Sequence, residues 1–519
     1  VGAVVLATLM TGATTGAAVA AQPNTSTGAP VVVTSDGAVR GADVAGTDRF
    51  LGLPYAAPPV GASRWRAPQP EARWHGVRDA TAFAPHCPQP GGPFGAGSTS
   101  EDCLYLNVFA PANHRFDLRG LPVMVWIHGG ALVTGESDDF NPAAMVHDGT
   151  VVVTINYRLG ALGFLAHPAL AGRPGGPSGD YGLMDQQAAL RWVRANIGRF
   201  GGDAHDVTIF GESAGGLSVL SQLASPGARG LFGKAIVESG AYNLTQTSLA
   251  AAESSGQSFA AAAGCASQTA ACLRALPVST ILADENTSGY TPNIDGLVLT
   301  QSLRTSFANG QFAHVPVVNG SNHDEWRLFV ALNELRGAPV TAANYLAMIS
   351  STLGVPSSVA TVIAARYPLR AFPSPALALS SLGTDAIFSC PALTVDQSVS
   401  KFVPTYTYEF NDENAPSLLP PVSFPTGSEH AAELRFVFNT ATAPTAGGLT
   451  ADELRLAGTM QRYWTNFATR GVPSSLATPF WPRYVNARPV AQSLVPPRPH
   501  VETNFAVDHN CAFWNGLSG

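Results

Sequence analysis

The chain has 519 residues, of which 45% are hydrophobic and 13% charged, and its formal net charge is -7. That balance supports a large buried core and excludes an intrinsically disordered chain. With 36 acidic residues against 29 basic ones, and Lys only at positions 234 and 401, no basic cluster exists to hold a phosphate backbone, so nucleic-acid binding is excluded as well.

The chain opens on VGAVVLATLMTGATTGAAVAAQP, an apolar run of small residues ending in Ala-Val-Ala-Ala. An A-x-A-like cleavage site after Ala20 or Ala21 makes residues 1–21 a secretory signal peptide whose charged n-region is missing. A membrane anchor is the competing reading; no other stretch is expected to span a bilayer. Residues 22–48 are polar and loop-like. LPVMVWIHGG (121–130) is a buried-strand run ending in glycines, and VVVTINYR (151–158) is another. LMDQQAALRWVRANIGRF (183–200) has helical spacing. DVTIFGES (206–213) is a strand running into a turn, and AGGLSVLSQLA (214–224) reads as a helix. GKAIVESG (233–240), VPVVNGS (315–321) and TYTYEF (405–410) are further strands. Such alternation predicts an α/β fold, a mostly parallel sheet flanked by helices. Chemistry is then expected at the carboxyl ends of strands. Residues 245–400 read as helical insertions capping the sheet within one domain over 30–515.

Six cysteines behind a signal peptide suggest disulfides. Proximity favours Cys87–Cys103 and Cys265–Cys272, leaving Cys390–Cys511. No C-x-x-C pair is present to suggest zinc.

Gly211-Glu212-Ser213-Ala214-Gly215 lies between a predicted strand and a predicted helix, the context that a G-x-S-x-G nucleophile turn requires. Small residues permit the sharp turn, and Ser213 then projects near a helix N-terminus, where developing negative charge is stabilised. A serine hydroxyl is a weak nucleophile alone and needs a base. Upstream, His128-Gly129-Gly130-Ala131 ends a strand. The amides of Gly130, Ala131 and Ala214 can together donate to an oxyanion.

These motifs sit within a wider set: GLPYAAPPVGASRWRAPQP (52–70), SEDCLYLNVFAP (100–111), WIHGGA, INYRLGALGFL, VTIFGESAGG, GSNHDEW, SEHAAELRFVF and the CAFW tail. The set resembles the type-B carboxylesterase/cholinesterase family along nearly the whole mature chain. That resemblance implies an α/β-hydrolase fold and an ester hydrolase using no cofactor or metal; the N-terminal run points to secretion, the Ala-, Gly- and Pro-rich composition with almost no Lys points to a bacterial source, and a monomer is expected. It also implies a Ser-Glu-His triad at Ser213, Glu325 and His430. Asp324 is the rival acid; His128 and His323 are rival bases, with His128 expected to support the oxyanion turn. Glu212, Ser239 and Glu433 match positions that hydrogen-bond behind the triad. Ion pairs Arg64–Glu101 and Arg158–Asp185 are implied too. His430 and Glu433 form H-x-x-E, but one such pair makes no metal site.

Two departures bear on substrate. Leu132 replaces the family's frequent phenylalanine and is expected to widen that side of the pocket. The loop 88–102 holds Phe94 as its only aromatic, which argues against a choline ester held by cation–π attraction. The expected reaction is hydrolysis of small to medium or aryl esters through an acyl-enzyme. Activity is expected to fall as His430 protonates, around the ordinary histidine value of about 6.5.

Overall fold

A computed structural model describes residues 29–92, 95–112, 120–173, 175–285, 290–438 and 448–517. The signal peptide expected over 1–21 and the expectation placed on Phe94 both fall outside the described residues.

One eleven-stranded sheet organises the fold. In chain order its strands are β1 (Ala42–Val44), β2 (Thr47–Pro54), β3 (Tyr105–Pro111), β4 (Leu121–Ile127), β5 (Val151–Ile155) and β6 (Gly202–Glu212). Then come β7 (Lys234–Glu238), β8 (Val317–Asn322), β9 (Thr405–Phe410), β10 (Ala491–Leu494) and β11 (His500–Glu502). Their spatial order is β11-β10-β9-β8-β7-β6-β4-β5-β3-β2-β1. The centre, from β5 to β10, is parallel, and antiparallel pairs close both edges.

Parallel strands are covered on both faces, so their sequences are continuously apolar. Alternation then assigns each residue a side. On β4, Val123, Val125 and Ile127 join one buried cluster, while Met124 and Trp126 join the other. Helices Tyr181–Asn196 and Ala214–Ala224 pack into the first cluster, and Leu434–Phe438 and Ala451–Arg470 into the second. The last of these is delimited by local chemistry. Thr450 and Glu453 form a capping box at its start, and Gly471 ends it at φ 67°.

The helical segment Pro375–Val399 is long and apolar enough to cross a bilayer, contrary to expectation from the sequence. It lies inside the protein, with 78% of its apolar window buried, and packs as a core helix. All three expected disulfides form: Cys87–Cys103, Cys265–Cys272 and Cys390–Cys511. So do the ion pairs Arg64–Glu101 and Arg158–Asp185, at 2.6 and 2.7 Å.

Candidate active site

Strand register builds the site. Gly211 of β6 lies opposite Ile127 of β4, while Glu212 opposes Glu238 of β7, which in turn opposes Gly320 of β8. Four parallel strands therefore end at one level, and the segments that follow them converge there. After β6 the chain reverses at Ser213, which holds φ 54° and ψ -119°, a conformation that L residues rarely adopt. Its amide donates to the Glu238 carbonyl at 2.8 Å. The turn demands glycine beside it, since a Cβ on Gly211 would stand 2.6 Å from the Ile127 carbonyl oxygen. The helix Ala214–Ala224 begins at once, so the Ala214 amide has no intrahelical acceptor.

After β4 the chain passes through Gly130, Ala131 and Leu132 at φ 99°, 55° and 62°. The turn closes on itself, because the Val133 and Thr134 amides both donate to the Gly130 carbonyl. Among the described residues, the Gly130 and Ala131 amides meet no acceptor. These amides are thus left available, and the turn lies beside the nucleophile, since a Cβ on Gly129 would stand 3.2 Å from Ser213 Cβ. His128 stacks on Tyr157 at 4.5 Å, and the Tyr157 hydroxyl donates to its carbonyl. Burial lowers the His128 imidazole to about 4, against the opposing Gly129 carbonyl, so it is a neutral prop. Leu132 is 1% exposed and belongs to the buried core, so no widening of an open pocket wall follows from it.

His430 follows a loop that returns to the same level. Its Nδ1 lies 2.5 Å from Glu325 Oε2, and its Nε2 lies 2.8 Å from Ser213 Oγ. With the Nδ1 proton donated to the carboxylate, Nε2 is left to accept the serine hydroxyl. Glu325 is fully buried, and its other oxygen accepts the Asn322 amide at 2.8 Å. Asp324, the rival acid, faces elsewhere. It pairs with Arg327 at 2.8 Å and His323 at 3.1 Å, and its Oδ2 accepts the Ser428 amide. It therefore ties the loop of Glu325 to the loop of His430. His323 contacts Asp324 and packs at a tilt against His509, away from Ser213.

The remaining expected positions divide. Glu212 Oε1 lies 3.1 Å from His430 Nε2. Glu433 is fully buried and accepts from Asn322 Nδ2 at 2.5 Å. Ser239 departs from expectation: its hydroxyl makes no hydrogen bond among the described residues. Its backbone, at φ 50°, turns after β7 and bonds to Gly320, so the main chain does the joining.

Burial alone would lower the His430 imidazole, but Glu212 and then Glu325 raise it to about 9. The expected acid limb is thereby displaced to the alkaline side of the ordinary histidine value. Burial lifts Glu212 to about 7, with His430 opposing and Glu325 adding. Sequence reading missed Glu238, a fully buried acid that accepts from Trp464 Nε1 at 2.9 Å and is raised by burial to about 8. An acid interrupting the apolar run of β7 was the available signal. Also missed were Phe388 and Phe329, whose rings lie 4.9 and 5.3 Å from His430. Phe388 is placed by a π-helical turn over Thr384–Ser389, within the buried helix noted above.

The arrangement can pass a proton from a hydroxyl to an imidazole and hold the resulting cation between carboxylates, beside free amides. The carboxylesterase family model matches residues 28–514. The chain belongs to the carboxylesterase family. This esterase is 36% identical over 467 residues to acylcarnitine hydrolase of Mus musculus, covering 84% of this chain and 82% of that protein. Para-nitrobenzyl esterase of Bacillus subtilis (strain 168) is 36% identical over 476 residues, with 88% and 92% covered. A solved PNB esterase structure superposes with a TM-score of 0.80 at 33% identity, covering 92% of the esterase and 98% of that chain. The α/β-hydrolase fold and carboxylic ester hydrolysis follow from these relations.

Proposed function

We propose that the chain is a secreted, monomeric carboxylesterase that hydrolyses small to medium and aryl esters with Ser213 as nucleophile, His430 as base and Glu325 as its partner. The observation that carries this reading is the unbroken chain Ser213 Oγ–His430–Glu325, at 2.8 and 2.5 Å. Ser213 Oγ attacks the ester carbonyl while His430 Nε2 takes its proton. The oxyanion accepts from the Gly130, Ala131 and Ala214 amides, donors already fixed by backbone before charge develops. Collapse expels the alcohol, which takes the proton from His430 and leaves an acyl-serine. Water then attacks the acyl-serine by the same route, releasing the acid. Glu325 holds the Nδ1 proton, and Glu212 adds negative charge beside the transient imidazolium. The para-nitrobenzyl esterase relative supports an aromatic alcohol group. The three disulfides support an oxidising destination.

The test is p-nitrophenol release from acetate and butyrate esters. Ser213→Ala is expected to lower kcat by about 10^4- to 10^6-fold. An organophosphate should label Ser213. Label on another serine, or turnover that survives Ser213→Ala, would refute the assignment.

A further inference from the structure

The C-terminal tail reaches the segment that walls the base. The π-helical turn Thr384–Ser389 carries Phe388, whose ring lies 4.9 Å from that of His430. Its first residue borders the acid as well, because Thr384 Oγ1 accepts the Trp326 amide at 3.0 Å, one residue after Glu325. A π turn inserts one residue into an α-helix, a rare arrangement. Relaxed to α-helix, the turn would swing Phe388 by about 100° around the helix axis, one residue's share of a turn. Whatever fixes the turn therefore fixes the wall of the site.

Two ties from the tail grip it, one on each side of Phe388. Cys511 is bonded to Cys390, which follows the turn directly. His509 grips the other end: its Nδ1 lies 2.7 Å from Asp385 Oδ1. Its Nε2 lies 2.5 Å from Glu409 Oε1, on sheet strand β9. Both ring nitrogens face carboxylates, so both carry protons, and the buried imidazolium joins the turn to the sheet. Burial alone would lower this imidazole, but Glu409 and Asp385 raise it to about 10. Glu502 of β11 shares a hydrogen bond with Glu409; burial and that neighbour lift it to about 8, so it stays protonated near neutrality. The His323 ring lies 5.6 Å from that of His509 and is paired with Asp324. Asp385 is braced on its second oxygen, which accepts from the Tyr367 hydroxyl at 2.5 Å and the Asn510 side chain at 3.1 Å.

We propose that His509 is a positioning residue for ester hydrolysis: by bridging Asp385 to Glu409 it holds the π-helical turn in the register that seats Phe388 against His430. Phe388 in turn keeps the imidazole from swinging off the Ser213 hydroxyl and shields its face from water. His509 thus acts on the reaction through Phe388. The proposal rests on the Ser213–His430 assignment, which Ser213→Ala and organophosphate labelling test separately.

The test is a double-mutant cycle between His509 and Phe388 in the full chain with its disulfides intact. It reads kcat and KM for p-nitrophenyl butyrate below the unfolding temperature of every variant. His509→Gln stays polar but cannot hold a positive charge between the two acids. It is expected to lower kcat by about 10- to 100-fold and to change KM by less than about threefold. Phe388→Ala is expected to lower kcat too. Adding His509→Gln to it should then cost less than about twofold more, because the residue it acts through is gone. Losses in kcat that simply multiply would overturn the proposal, as they would if His509 served stability alone. A His509→Gln enzyme with the wild-type kcat, or with a loss confined to KM, would overturn it too. Should His509→Gln fail to fold, Asp385→Asn enters the same cycle: it keeps an acceptor for His509 Nδ1 and removes the charge, and the same outcomes decide.

Discussion

Replacing Glu212 by Gln is expected to move the acid limb of the pH–rate profile to lower pH. Glu212 Oε1 lies 3.1 Å from His430 Nε2, with both residues buried. At an effective dielectric constant of about 20, unit charges at that spacing attract by about 5 kcal/mol. That figure is a ceiling, because Glu212 is itself raised to about 7 by burial and loses its charge as pH falls. An opposite charge this close ordinarily moves a pKa by about 1–3 units, each worth about 1.4 kcal/mol. His430 stands at about 9 after burial is outweighed by Glu212 and Glu325, so the variant imidazole should fall back toward about 6.5. The neutral ring is the base. Wild-type kcat/KM therefore declines already on the alkaline side of that ordinary value, and Glu212→Gln retains activity further into acid. The plateau moves the other way. The developing imidazolium loses a carboxylate neighbour, and a loss of about 1.4 kcal/mol at the barrier lowers kcat about tenfold. The assay is kcat/KM for p-nitrophenyl acetate across about pH 5 to 10, which reports the free enzyme. Superimposable acid limbs for wild type and variant would refute the reasoning.

Glu238→Gln tests the neutral state of a second buried acid. Burial raises Glu238 to about 8, so the stability it contributes is complete below the ordinary carboxyl range and is lost as pH rises through about 8. The variant keeps an acceptor for Trp464 and should match wild type at about pH 4, gain on it progressively above that, and unfold at clearly higher denaturant near about pH 9, as denaturant melts will show. Asp324→Ala removes the acceptor of the Ser428 amide and the partner of Arg327, and should cost about 1–3 kcal/mol in a urea melt. Because Asp324 does not touch His430, its kcat should drop without displacing the acid limb; a displaced limb would make it part of the charge relay.

Parts of the site have causes that are local, and those were readable from the chain. The G-x-S-x-G spacing encodes a turn that only small residues permit, and the structure strains Ser213 there to φ 54°. The helix after it begins at Ala214 and ends at Ala224, as its pattern indicates. Nothing local joins Ser213 to positions 325 and 430. The contact between Glu325 and His430 spans 105 residues, and only family resemblance proposed it. The Ser239 hydroxyl shows the limit of such transfer: the position matched, but the backbone bonds rather than the side chain. The π-helical turn under Phe388 had no readable signal, since one inserted residue in an apolar helix alters no periodicity that a short window resolves.

Charge at the site follows from the same sheet register that the apolar runs announced. Parallel pairing sets Glu212 beside Glu238, and Asn322 at the end of β8 reaches Glu433. Several acids thus crowd one imidazole in a dry interior, where ionising all of them would cost more than the fold could supply. Burial resolves this by raising Glu238 to about 8 and pushing Glu433 well above the ordinary carboxyl range, with neighbouring acids adding to the rise. These two groups stay protonated near neutrality and serve as hydrogen-bonding spacers. Glu212 is lifted less far, to about 7, because His430 opposes the rise, and its charge can stabilise the imidazolium formed during ester cleavage. The acids behind the site therefore act by which of them remain neutral, and a substitution that restores charge at Glu433, for instance by opening its surroundings to water, should disturb the base more than removal of its hydrogen bond alone.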